Sequence, residues 1–397
     1  MELALHSGGE YEVFIMVHVK DNRIPILSNH ESIQQLKDKF IPPEFHNMSI
    51  LFNDQILEEW YPGIEEHRAQ YQHWQPVQIF SQLYSDFDYY WQFEMDARNT
   101  GHMYHFLEQL SAFAKKQPRK YLWERNAYFY IPGAHGSWDN FKQTTGANMN
   151  NKDTVWGPVP PSPDFIPTGP KPPVPDPEND SYKWGVDEEA DLITLLPIFD
   201  PKDTNWTFPN MLWNLSDQTP RRASVVTMNR VSKKLLHLMH DTQRDNEQGL
   251  VSEMTAPSIA LWHGLKAVYA PHPIYVDGKW TAKELARIFN PGSPENINGG
   301  NDSIWNWDHK FDHIVYRLSY MFTTQTAEDL FRRWMGFRPD SRQYTDGSYH
   351  QDSQGRNWFD GGSLHEDIYG RLCFPPMFLH PTKNTDEKKG SEMPVPV

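Results

Sequence analysis

The 397-residue chain has a single cysteine, Cys373. A lone thiol excludes an internal disulfide framework and a cysteine-rich zinc site, and leaves the compartment open. No apolar run approaches the roughly 20 residues of a membrane helix, and no basic-then-apolar signal pattern opens the sequence. There is also no Lys/Arg-rich block: 37 basic residues face 52 acidic ones, for a formal net charge of -15. Affinity for nucleic acid or an anionic membrane surface rests on neutralising phosphate, so neither is an expected partner. An anionic small substrate would have to bring a cation or share one held by the protein.

Aromatic residues are abundant, at 14% of the chain with 15 Trp. Flat rings with one polar edge suit sugar faces as well as cores, although core packing is the commoner role of any single Trp. The length allows a large core.

The most informative stretch is FDYYWQFEMD, residues 87–96, an aromatic run that ends in Glu94 and Asp96. The run reads as a buried strand. Two carboxylates where a buried strand surfaces repel each other and need a cationic partner, and a divalent metal is the expected one. The plain alternative is a surface pair neutralised by Arg98 or Arg125. Asp86 and Asp88 share the spacing but precede the run, whereas open α/β sheets bind ligands at the carboxyl ends of their strands.

Branched and aromatic residues predict strands over 11–19 and 48–53, with a helix over 31–40 between them, a β-α-β rhythm. A helical pattern over 65–84, interrupted at Pro76, leads into the acid strand. Apolar residues at three- and four-residue steps then predict a helix over 101–116, whose N-terminus points toward whatever the acids hold. Residues 120–132 read as a further strand interrupted by Glu124, Arg125 and Asn126. Prolines make residues 156–177 an extended surface loop, and 230–240 reads as helix. Thr281 with Glu284, and Thr326 with Asp329, fit capping boxes, and Asn290 followed by Pro291 and Gly292 stops the first of those helices. A Gly/Asn/Pro loop is expected over 291–303 and a disordered tail from 381.

FDYYWQFEMDARNTGH and QPRKYLWERNAYFYIP, with SEMTAPSIALWHGLKAVYAPHPIY, FDHIVYRLSYMFTTQTAEDLFRRW and LCFPPMFLHPTK, resemble a fungal family known only as a domain of unknown function, across most of the chain. A fainter resemblance is to fungal α-1,2-mannosyltransferases of the GT-A fold. Their metal motif sits in a similar aromatic strand with a Glu-Pro-Asp-like ending, here Glu94-Met95-Asp96. They also carry an Asp-Ala-Pro segment before a Ser-Ile-Ala-like helix and then a His-Pro metal motif; here Thr255-Ala256-Pro257-Ser258-Ile259-Ala260 precedes Pro271-His272-Pro273.

The resemblance implies an α/β, GT-A-like (Rossmann-like) fold: a mixed sheet flanked by helices, lacking its N-terminal strand. One domain is expected over 1–380, with a donor half over 1–150, the Pro-rich loop over 156–180 and an acceptor half over 181–380, then a tail over 381–397. Relatives extend upstream and often begin with a membrane anchor. Met1 is therefore expected to be an internal or misassigned start, and a missing strand would expose unpaired backbone. A Golgi membrane setting follows from the resemblance alone.

The expected activity is transfer of a sugar from a nucleotide-sugar donor to a glycan or glycoconjugate acceptor, with Mn²⁺ or Mg²⁺ stabilising the departing diphosphate. Glu94 and Asp96 are the expected metal ligands, joined by His272 between its two prolines or by His380 in a second His-Pro pair. Arg68, Gln78 and Arg98 are candidates for the donor. Thr255 stands where the transferases have an acid, so Glu253 is the nearest candidate catalytic carboxylate, with Glu124 near the acceptor sugar. Two other readings are a non-catalytic carbohydrate-binding or scaffold relative, and a glycoside hydrolase, in which Trp-rich clefts flank two carboxylates.

Overall fold

The computed structural model describes residues 2–148, 154–278, 280–291, 304–305, 312–322, 326–335, 365–366, 372–373 and 375–382. The expected tail beyond 382 and the loop over 292–303 lie outside the described residues.

The first part is helix-rich: α1 (Glu2–His6), β1 (Ile15–His18), α2 (His30–Phe40), β2 (Ser49–Phe52), α3 (Asp54–Trp60), α4 (Ala69–Gln72) and α5 (Trp74–Leu83). β1 and β2 pair in parallel through the α2 crossover, Ile15 opposite Ser49 and His18 opposite Phe52. Asn29 starts α2 by accepting from Glu31 N–H and Ser32 N–H, and Asn53 starts α3 by accepting from Ile56 N–H. The expected break at Pro76 falls earlier, at His73. Pro76 sits in the first turn of α5, where its missing N–H costs little.

Next come β3 (Tyr89–Gln92), β4 (Arg98–Asn99), α6 (Met103–Lys115), α7 (Leu122–Asn126), α8 (Pro132–His135), α9 (Trp138–Asn148), β5 (Leu192–Thr194), β6 (Leu212–Trp213), β7 (Asn229–Ser232), α10 (Lys233–Arg244), β8 (Gly249–Leu250), α11 (Ser252–His263) and β9 (Ala267–Tyr269). α12 (Ala282–Phe289), α13 (Thr326–Trp334), β10 (His365–Glu366), β11 (Leu372–Cys373) and β12 (Phe378–Leu379) follow.

The fold is mixed α/β around a four-stranded sheet in the order β3-β7-β5-β9. β7 is antiparallel to both β3 and β5, and β5 is parallel to β9. β3, β5 and β9 therefore share one direction, and their carboxyl ends meet at one margin of the sheet. β5, β7 and β9 are buried throughout, so they carry no alternation of apolar and polar residues. That explains why β7 is hidden in a stretch that reads as helix over 230–240; Ser232 ends the strand and caps α10 by accepting from Leu235 N–H.

The expected strand over 120–132 is instead the short helix α7. Asn126 supplies the reason: its amide donates to Ala267 O at 2.8 Å and accepts from Tyr269 N–H at 2.9 Å, so a side chain closes the outer edge of β9. Arg125 is buried and donates to Pro118 O and Lys120 O. The Pro-rich stretch is irregular, as expected, but is strapped to the end of α11: Val159 N–H donates to Leu261 O at 3.0 Å and Gly169 N–H to His263 O at 2.9 Å. Among the described residues, no helix is long and apolar enough to cross a membrane.

Candidate metal centre

β3 carries the chain to the margin where the strand ends gather. Past Gln92 and Phe93 the chain leaves the sheet, and Glu94 and Asp96 occupy a turn in which Ala97 N–H donates to Glu94 O at 3.1 Å. β4 follows at once and pairs antiparallel with β12, Arg98 opposite Leu379 and Asn99 opposite Phe378. This register brings His380 beside the acids. Thr382 secures the approach, donating from N–H and Oγ1 to Asp96 O at 2.7 and 2.8 Å. The His380 backbone is held on both sides, its N–H donating to Ser319 O at 3.0 Å and its carbonyl accepting from Met321 N–H at 3.1 Å.

Nε2 of His380 lies 3.3 Å from Glu94 Oε2 and 3.6 Å from Asp96 Oδ1, and one ligand atom from each residue falls within 4.8 Å of the others. Ligands about 2.1 Å from a small octahedral cation stand roughly 3.0 Å apart when adjacent and 4.2 Å when opposite. The donor set therefore has the spacing of one small divalent ion. Carboxylate oxygens suit Mg²⁺ or Mn²⁺, and the imidazole favours Mn²⁺. The His380 side chain is 2% exposed, Asp96 8% and Glu94 45%, so the cluster opens on the Glu94 side.

Three further groups sense the Glu94 charge. Glu253, in the first turn of α11, has Oε2 buried without a partner, and burial, with a smaller contribution from Glu94, pushes its carboxyl up to about 7. His73 is pushed down to about 4 by burial, against the opposing pull of Glu94, so its ring is neutral near pH 7. The Tyr320 phenol is pushed well above its ordinary value, by burial first and by Glu94 second. His73 N–H donates to Ser252 Oγ at 3.0 Å and Trp74 Nε1 to Ser252 O at 3.1 Å, tying the start of α5 to that of α11.

A cleft of about 1590 Å³ opens at the acids, and His73, Glu94 and Asp96 belong to its wall. Aromatic side chains, among them Phe14, Phe80, Phe87 and Trp91, supply much of the rest.

The remaining sequence candidates lie elsewhere. His272 sits past the end of β9 with Nε2 3.0 Å from Leu195 O, its ring edge-on to Phe106 and to Tyr320. Tyr320 stands between it and His380, and burial pushes the His272 imidazole down to about 4. Arg68 is exposed and pairs with Glu66. His73, Pro76, Val77 and Phe80 face the cleft, so at about 3.6 residues per turn Gln78 projects from the other side of α5, where it is fully buried. Arg98 pairs with Glu2 and Arg125 binds carbonyl oxygens, so neither of the expected neutralising arginines is spent on the acids. Glu124 is on α7, against β9 at the opposite edge of the sheet from β3, and accepts from Val155 N–H at 2.7 Å. Thr255 is fully buried and donates to Leu250 O at 2.8 Å and Val251 O at 3.1 Å, which ties the first turn of α11 to the end of β8.

Sequence reasoning did not single out His73 or Tyr320. Neither lies in a spaced motif, and each reaches the acids through tertiary packing.

The fold and this cluster define a mixed α/β protein with an acid-acid-imidazole centre at its strand tips. The chain belongs to the family described as protein of unknown function (DUF3405), which matches residues 1–384. No curated protein and no solved structure matches the chain.

Proposed function

We infer that the protein is a metal-dependent glycosyltransferase that takes a nucleotide-sugar donor and a glycan or glycoconjugate acceptor. The finer fold assignment, GT-A-like, and a secretory-pathway setting belong to the same reading. The observation that carries it is the convergence of Glu94, Asp96 and His380, at the spacing of one cation's ligands, where strand ends open on a cleft. Glu94, Asp96 and His380 would hold Mn²⁺ or Mg²⁺. Bound there, the cation would supply Lewis-acid stabilisation to a departing diphosphate, which an acidic protein otherwise lacks.

The chain's own part is binding and proton handling. Aromatic walls suit the flat faces of a sugar and a base. Glu253, with its carboxyl near 7 and one oxygen free of partners, fits a general base for an acceptor hydroxyl. Glycoside hydrolases hold their two carboxyl groups about 5–5.5 Å or about 6.5–9.5 Å apart across a scissile bond. Oxygens of Glu94 and Asp96 instead lie within 4.8 Å and share an imidazole, which favours the transferase reading.

The test is thermal shift and calorimetry with a panel of nucleotide diphosphate sugars, with and without Mn²⁺. Metal-dependent stabilisation that is lost in Asp96→Ala is the expected result. A response to glycans alone would indicate a binding protein, and cleavage of a chromogenic glycoside without nucleotide a hydrolase; either result overturns the proposal.

A further inference from the structure

Buried polar atoms ordinarily have a hydrogen-bond partner, so one without a partner calls for a physical account. The phenol of Tyr320 is such a group. The residue is 0% exposed, and its hydroxyl has no partner among the described residues. Phenylalanine would fill the same space without the cost in stability of an unpaired buried hydroxyl. The ring is nevertheless held firmly: His272 meets it edge-on with ring centroids 4.8 Å apart, Phe378 packs at 5.6 Å and His380 at 5.9 Å.

Backbone pairing decides where that hydroxyl points. Tyr320 and His380 stand opposite each other in a parallel bridge, closed by the bonds from His380 N–H to Ser319 O and from Met321 N–H to His380 O. Residues paired in this way present their side chains to the same face. His380 turns Nε2 to Glu94 and Asp96. A tyrosine side chain outreaches a histidine, so the Tyr320 hydroxyl comes level with the carboxylates rather than with the imidazole. The influence of the Glu94 charge on the phenol, second to that of burial, agrees with this placement. A phenol is protonated at neutral pH and can donate.

Cation binding changes what Glu94 needs. Its Oε2 lies 3.3 Å from His380 Nε2, a hydrogen bond only while that nitrogen carries a proton. A histidine nitrogen that ligates a cation presents its lone pair instead, so loading withdraws this donor from Glu94. Ligating carboxylates are in turn hydrogen-bonded, which fixes their orientation. Glu94 is also the most open of the three residues, at 45% exposed against 8% for Asp96 and 2% for His380. We propose that Tyr320 is a positioning residue of the cation site: its hydroxyl donates to the Glu94 carboxylate when that carboxylate holds the cation. The clamped ring keeps the donor in place beforehand, so no side chain has to be ordered for the purpose. The inference rests on the cation site of the proposed function and not on the substrate.

The test uses the 397-residue chain with Mn²⁺ as the probe, binding being followed to millimolar concentrations by the EPR signal of the free ion. Tyr320→Phe should melt in EDTA no lower than the parent, because the hydroxyl it removes has no partner in the fold. It should bind Mn²⁺ at least about tenfold more weakly, the range in which outer-sphere partners act. Tyr320 acts through Glu94, so adding Tyr320→Phe to Glu94→Ala should change Mn²⁺ affinity less than about twofold. Mn²⁺ affinity of Tyr320→Phe within twofold of the parent overturns the proposal. An equal loss in the Glu94→Ala background does so too, by putting the hydroxyl on another oxygen. A melting temperature in EDTA several degrees below the parent also overturns it, since the hydroxyl would then already be satisfied. A parent that binds no Mn²⁺ overturns this inference and the transferase reading together. Tyr320-dependent Mn²⁺ binding in a protein that ignores nucleotide sugars supports the inference and overturns the transferase reading alone.

Discussion

Glu253→Gln removes a titration that the fold resists, and the consequence can be followed with pH. The ordinary value of the carboxyl is 4.5 and the folded protein holds it near 7, chiefly by burial. Below 4.5 the group is neutral in both states and has no effect on folding. Between 4.5 and 7 the unfolded chain ionises first, so stability falls as pH rises; above 7 the loss levels off. At about 1.4 kcal/mol per pH unit the plateau is roughly 3 kcal/mol. Glutamine has the same shape without the charge, so the variant should match the parent at pH 4.5 and exceed it by up to about 3 kcal/mol at pH 8. With a melting entropy of about 2.1 cal/mol/K per residue, that is a rise in Tm of roughly 4 °C for a chain of this length. Calorimetry in EDTA from pH 4.5 to 8 measures it. Under the proposed function, saturating Mn²⁺ should narrow the gap, since a nearby cation favours the ionised form, and transfer activity should be lost even as stability rises. A Tm difference flat across pH, or a variant less stable than the parent at pH 8, would refute the reasoning by showing that the carboxylate is satisfied in the fold.

Three further outcomes follow from single contacts. Asp96→Asn and His380→Ala should each weaken Mn²⁺ binding at least tenfold by calorimetry, because each would remove a ligand of the proposed site while outer-sphere partners alone can be worth about that much. His272→Phe should leave Mn²⁺ affinity within twofold and cost about 1 kcal/mol in chemical denaturation, the worth of the buried bond to Leu195 O; a large loss of metal affinity would put His272 in the cluster. Thr281→Ala should cost about 1 kcal/mol by loosening α12, since Thr281 and Glu284 form a reciprocal capping box, and an unchanged melting profile would contradict that role.

Local chemistry was readable where it acts locally. The β1-α2-β2 unit, helix α6 and the box at Thr281 follow from periodicity and capping residues within a few positions of one another. The short strands β5, β7 and β9 were not readable, because full burial removes the alternation that marks a strand. α7 was misread for a different reason. Its apolar flanks suit a strand, but Asn126 is needed as a side-chain partner for the edge of β9, and only the helix presents it there.

The same division runs through the candidate centre. Sequence alone determined that two acids end an aromatic run and that two His-Pro pairs stand far along the chain, since composition and order are local properties. Which histidine meets the acids was decided by the β4–β12 register, which sets His380 beside Asp96, and by Leu195 O, which occupies His272. Such pairings depend on hydrogen bonds between segments 286 positions apart, and backbone groups of this kind are alike at every residue. No local pattern can name the partner until the chain has packed.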